Sequence, residues 1–361
     1  MIVSLKGSKK KLAFKVLISF IFFYILIQFV QGNQLVLMFS RINWFFFLLS
    51  LSLTPVMTMV SCLKWKMILD AGGFRVPFLT LFRIYLIGYF FSNMLPSTVG
   101  GDVVRSYYAG KLIQDQSYSA IAIFIERFSG IFFLFFLVIL TPLFKPSLYQ
   151  SPYVLIPIAG STILISITLW IAKVKDPFVF PDKVLAWMLP VGGKVLSLFG
   201  RKNPDVQIEK INSHYERFMV RLEKLHVKLT FALETIMQDK KLFWQLIFIT
   251  ALFYFLTWVN VSLAFLAFGV EHQFLHICAL VPSILFVAHF PVTILGNLGF
   301  FESVFVFYFL LLNIPASASL AMGLLLRMKV LLIGIVGFFV YMVYKHATGD
   351  DAKQLGEDTG G

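Results

Sequence analysis

The feature that most constrains this chain is a series of apolar runs, at roughly 13–32, 43–63, 77–94, 119–143, 152–172, 243–268, 274–290, 300–313 and 316–344. A bilayer core needs about 20 apolar residues per crossing helix, and most of the runs reach that length. Hydrophobic residues make up 59% of the 361 and charged residues 14%, far from what a soluble core uses. The predicted fold class is an all-α polytopic membrane protein. The first run is not read as a cleavable signal, because it lacks a small-residue cleavage site and further spans follow. Cys62 and Cys278 both sit in apolar runs, which argues against a disulfide framework or a zinc site. No metal or cofactor is expected.

The formal net charge of +13 reads as basic cytoplasmic loops rather than nucleic-acid binding. The insert 173–241 carries 13 Lys or Arg, and the N-terminus carries Lys6, Lys9, Lys10, Lys11 and Lys15. Both should face the cytoplasm. Simple counting of spans puts the insert outside. The conflict disappears if 77–94 enters the membrane, breaks at Pro96–Gly101 and returns through 102–111 to the same side. Lys64, Lys66, Arg75 and Lys111 then lie inside. A second hairpin over 274–313, entered from outside, brings the C-terminus inside as well. The expected architecture is about six full transmembrane helices plus two opposed re-entrant hairpins related as an inverted repeat. Its parts are a first membrane half (1–172), a cytoplasmic amphipathic insert (173–241), a second half (242–345) and a disordered cytoplasmic tail (346–361). The localisation expected is the cell membrane.

Irregular backbone at membrane depth is tolerated only beside protein or a water-filled cavity. The stretch "NMLPSTVGGDVVRSYYAGK" from Asn93 should therefore line a cavity, a kinked helix or surface loop being the alternative. "HFPVTILGNLGFFESVF" from His289 echoes it. Asp102 lies 25 residues before Arg127, and Glu302 lies 25 before Arg327. Glu126, Arg127, Arg327 and Lys329 fall about 8–14 residues into their helices, near mid-depth. A lipid-facing charge there costs roughly 2.5–3.5 kcal/mol, so these side chains should face protein or water. With Asp102, Arg105 and Glu302 they number four basic and three acidic groups. The surplus cation predicts an anionic ligand, which arginine suits by bidentate donation. Structural ion pairs such as Arg127 with Glu302 or Arg327 with Asp102 are the competing account. Asn93 and His289, beside the breaks, are cavity-lining candidates or simple caps.

From Ile208 to Ile236 apolar residues recur in alternating steps of three and four. That spacing predicts an amphipathic helix packed on the bundle or at the lipid interface, with a homodimeric coiled coil as the alternative. The insert has no glycine-rich phosphate loop and no nucleophile motif, so no enzymatic domain is expected there.

"LPSTVGGDVVRSYYAGK", "IERFSG", "FPVTILGNLGFFE" and "LLLRMKVLLIGIVG", in this order, resemble the transmembrane region of lysylphosphatidylglycerol synthases, a flippase-like family, here without the synthase domain. The resemblance covers about residues 10–345. It places a Pro-Gly-Gly-Asp-Arg element on Pro96, Gly100, Gly101, Asp102 and Arg105, and an acid–arginine pair on Glu126 and Arg127. It places a late element on Pro291, Gly296, Gly299 and Glu302, and a final-helix arginine on Arg327. Asn297 stands where the family usually has a second glycine. The resemblance implies translocation of a lipid between leaflets. The expected substrate is an anionic phospholipid, aminoacyl-phospholipid or polyprenyl-phosphate-linked lipid. Its head group should be held by Arg127 and Arg327 with Arg105 and Lys329. Asp102, Glu126, Glu302, Asn93, Gly100, Gly101, Gly296 and Gly299 should shape that cleft. A non-transporting scaffold for an envelope lipid-modifying enzyme is the alternative.

Overall fold

The computed structural model describes residues 37–94, 100–173, 227–290 and 299–357. The predicted first span, the insert over 174–226, and the break residues Pro96, Pro291, Gly296 and Asn297 lie outside the described residues. Within them there is helix and no strand. The helices are α1 (Trp44–Ala71), α2 (Phe78–Met94), α3 (Gly100–Ile113), α4 (Gln116–Leu140) and α5 (Pro152–Lys173). After the insert come α6 (227–238), α7 (Lys240–Ala267), α8 (Phe274–Ala288), α9 (Phe300–Leu310) and α10 (Ala316–Glu357). Five of them are long and apolar enough to cross a membrane: α1, α4, α5, α7 and α10. They coincide with five of the six predicted spans.

Helix ends follow local chemistry. Asn43 begins α1 by accepting from the backbone N–H groups of Phe45 and Phe46, which satisfies donors that have no intrahelical partner. Gly73, at φ 85°, ends that helix in a left-handed conformation that favours glycine. Nothing between Leu63 and Gly72 breaks a helix, so α1 runs past the predicted end of its span. It carries Lys64 into the bundle, where the residue is 6% exposed. The predicted span ends one residue before Lys64. The last helix also continues to Glu357, across most of the segment expected to be a disordered tail.

Besides α6, four of the described helices are short: α2, α3, α8 and α9. At 1.5 Å per residue, the 17 residues of α2 reach about 25 Å and the 11 of α9 about 16 Å, less than the ~30 Å hydrocarbon core. They come in consecutive pairs, and within each pair the helices pack on one another: α2 on α3, and α8 on α9. The neighbours of the two pairs correspond. The second helix of each pair packs on the long helix that follows it, α3 on α4 and α9 on α10. The first packs on the long helix of the other half, α2 on α10 and α8 on α4. The helices preceding the pairs, α1 and α7, pack on each other.

The two largest apolar cores follow the halves in the main, while a smaller cluster joins Leu134 and Val138 of α4 to Tyr254 and Phe286. One core gathers Cys62, Trp65, Ile68, Leu81, Ile84, Ile121 and Ile125 of the first half. The other gathers Phe265, Ile277, Leu280, Ile284, Phe305, Phe309 and Met322 of the second. The end of the insert joins the first core, with Ala232 and Ile236 buried and Leu229 packed beside them. These are positions of the predicted seam. Lys228 Nζ reaches Asp115 at 2.6 Å, and Asp115 caps α4 by accepting from Tyr118 N–H.

Candidate functional site

In the first half the charged residues converge at the start of α3 and the middle of α4. Asp102 lies in the first turn of α3, where the helix dipole favours an acid. Its Oδ1 accepts from Arg105 at 3.2 Å and from Arg127 at 2.9 Å. Arg105 also donates to Glu126, whose other oxygen accepts from the Tyr85 hydroxyl at 2.9 Å. The Arg105 guanidinium lies 3.8 Å from the Tyr85 ring centroid and 4.5 Å from that of Trp65. Arg105 is thus enclosed, neutralised by two carboxylates and boxed by two aromatic rings. Arg127 differs. Its side chain is 53% exposed, and a single Nη2–H engages Asp102, leaving its other donors open among the described residues.

A cavity of about 200 Å³ opens here between α2, α3, α4 and α10. Tyr85, Tyr89, Asn93, Asp102, Arg105 and Arg127 are among its lining residues. Asn93 also ties α2 to α10, donating from Nδ2 to the Val330 carbonyl at 2.9 Å. Gly101, expected to shape the cleft, packs α3 against α2 beside it. A Cβ there would lie 2.2 Å from the Gly88 carbonyl and 2.0 Å from Ser92 Oγ. Its hydrogen is what lets α3 lie against α2. Gly100 opens α3 beside it.

The second half repeats the acid–arginine pairing and closes it. Arg327 Nε donates to Glu302 Oε1, and Glu302 is fully enclosed. Glu302 Oε2 accepts from the Gly299 N–H at 2.8 Å, and Gly299 holds φ 82°. Gly299 therefore serves as a helix cap, and neither Arg327 nor Glu302 lines the cavity. The expected cross-pairs of Arg127 with Glu302 and Arg327 with Asp102 are overturned. Each acid instead pairs with the arginine 25 residues after it.

Lys329, the other candidate head-group contact, lies away from the cavity. It is buried between helices, donating to Ser50 Oγ and to Asn260 Oδ1 at 2.7 Å. His289 binds back to the Leu285 carbonyl, the cap-like role. Sequence reasoning passed over Tyr85, Trp65, Ser50 and Asn260. Each is an uncharged residue in an apolar run, with no spacing signal to mark it.

The family model of the lysylphosphatidylglycerol synthase transmembrane region matches residues 12–337. A UPF0104 membrane protein of Methanocaldococcus jannaschii is 27% identical over 97 residues, which span 27% of this chain and 29% of that protein. The match thus covers less than a third of that relative's length. No solved structure matches.

Proposed function

The chain belongs to the lysylphosphatidylglycerol synthase transmembrane-region family, and from that premise we propose that it is a lipid translocator rather than an enzyme. It carries an anionic lipid head group between leaflets through the Arg127 cavity, while the hydrocarbon chains stay in the bilayer. The observation that carries this reading is Arg127 itself. An arginine 53% exposed at a cavity rim, with one donor engaged, is the arrangement that a phosphate can complete with two parallel hydrogen bonds. Asp102 holds Arg127 in place, and Arg105 is taken up by Asp102 and Glu126.

The short paired helices and their matching neighbours support two opposed re-entrant hairpins arranged as an inverted repeat, the architecture that places broken helices around a mid-membrane site. The basic insert supports cytoplasmic termini and residence in the cell membrane.

The direct test is reconstitution in liposomes with a short-tail fluorescent anionic lipid and a quencher confined to the outer leaflet. Faster exposure of the lipid than in protein-free liposomes is the expected result. No acceleration for any anionic lipid would overturn translocation and favour a scaffold. For the hairpins, single cysteines at Arg75 and Lys111 should react from one side of the membrane, and cysteines at Glu271 and Asn313 from the other. All four positions are exposed, and Cys62 and Cys278 would be replaced in the background. Labelling of Arg75 and Lys111 from opposite sides would make the first pair a full crossing.

A further inference from the structure

We propose that Lys64 is the second cation of the head-group site, and that the ligand is a lipid phosphodiester bearing no cation of its own. This rests on the Arg127 reading above. Lys64 is 6% exposed and has no hydrogen-bond or ion-pair partner among the described residues. The other buried charges are all served: Arg105 by Glu126 and Asp102, Glu302 by Arg327, and Lys329 by Ser50 and Asn260. Lys64 does not itself line the cavity, but an ammonium so little exposed and without a partner is disfavoured, and an anion that arrives with the ligand would supply one.

Position and charge agree. Lys64 Nζ lies 3.9 Å from where a Cβ on Gly130 would stand. Gly130 is one turn beyond Arg127 on α4, about 4.5 Å further along the axis. The charges near enough to act on Lys64 are Glu126, Arg127 and no others among the described residues. Without Lys64 the first-half cluster balances, Arg105 and Arg127 against Asp102 and Glu126. Lys64 supplies the surplus positive charge, and one negative charge restores neutrality. A phosphodiester carries one. A zwitterionic head group brings an ammonium that would compete with Lys64.

The bare face of Gly130 leaves room for a head group to extend from Arg127, at the cavity rim, toward Lys64.

The experiment compares ligand-induced thermal shifts of the full chain in detergent. The probes are short-chain phosphatidylglycerol, short-chain phosphatidylcholine and the water-soluble diester glycerophosphoglycerol. The wild-type protein should prefer phosphatidylglycerol to phosphatidylcholine. Lys64→Met should weaken phosphatidylglycerol about tenfold, the scale of one charge-assisted contact, with phosphatidylcholine unchanged. Gly130→Leu keeps both cations but fills the space between them, and should do the same. It also decides the matter if Lys64→Met fails to fold. A soluble diester that stabilises the wild type but neither variant assigns the site to the diester itself, and stabilisation by the lipid alone assigns it to a membrane lipid. A wild-type preference for phosphatidylglycerol that survives Gly130→Leu, and Lys64→Met where it folds, overturns the role of Lys64. A wild type with no preference between the two lipids overturns the Arg127 reading as well.

Discussion

In the first half, Asp102 shares one oxygen between Arg105 and Arg127 at the edge of a cavity. In the second, Glu302 is fully enclosed, with one oxygen on Arg327 and the other on the Gly299 N–H. Both acids sit in the first turn of a short helix, and both pair with an arginine 25 residues later. The difference is that the first pair contains a spare partner. Arg105 also donates to Asp102, so Arg127 can give up that contact without leaving the acid unpaired. Glu302 has no second cation paired with it among the described residues, so its arginine is committed. One sequence pattern thus yields an exposed cation in one half and an enclosed ion pair in the other.

The largest effect expected is at the enclosed pair. Arg327→Gln strands a fully enclosed carboxylate and should lower stability by about 3–5 kcal/mol, read as a fall in Tm. The double variant with Glu302→Gln should recover much of that loss. A single variant melting like the wild type would remove the contrast between the halves.

Next is Gly101→Val. With a Cβ 2.2 Å from the Gly88 carbonyl, backbone must shift, and overpacking of this kind costs about 1–3 kcal/mol. The variant should melt earlier and bind lipid poorly. Full stability with lost binding would instead place Gly101 at the ligand.

Arg127→Gln should behave in the opposite way from Arg327→Gln. Asp102 keeps Arg105, so the melt should move little, whereas affinity for an anionic lipid should fall by about 1.5–3 kcal/mol. Lysine at 127 should restore little of it, having no planar fork. A large loss of stability with unchanged binding would make Arg127 structural as well.

The smallest effect concerns the clasp between insert and bundle. Burial raises the Asp115 carboxyl, but the hydrogen bond from Lys228 and the Tyr118 N–H outweigh it and hold the group below the usual carboxylate range. A depressed folded value means that the stabilisation is present above the unfolded pKa near 4 and lost as the pH falls through the folded one. Both side chains are partly exposed, so Lys228→Ala should cost no more than about 1 kcal/mol. The melt difference from wild type should vanish in acid. A difference that persists there would assign Lys228 a role apart from Asp115.

The membrane class, the long helices and the seam residues of the insert that pack on the first core were legible because apolar run length and three–four periodicity are local properties. The 25-residue spacing was legible too, but not its meaning. Cross-pairing between halves looked as reasonable as pairing within them until the packing of α3 on α4 and α9 on α10 brought each acid to its own arginine. The predicted span stops short of Lys64 because hydropathy ends at a lysine while the helix does not, its long apolar stem packing like a hydrophobe. The surroundings of Lys329 were not legible because its partners, Ser50 and Asn260, lie on α1 and α7, distant in sequence and unremarkable in type.

By itself, then, the sequence determined that this chain lies in a membrane, which segments form its helices, and which residues carry charge into the bilayer. Those follow from the transfer energy of each run and the cost of each buried charge. Only the tertiary structure decided which charges are used up on one another. That depends on side chains meeting across helices far apart in the chain, and a displacement of a few ångströms separates an ion pair from an open donor.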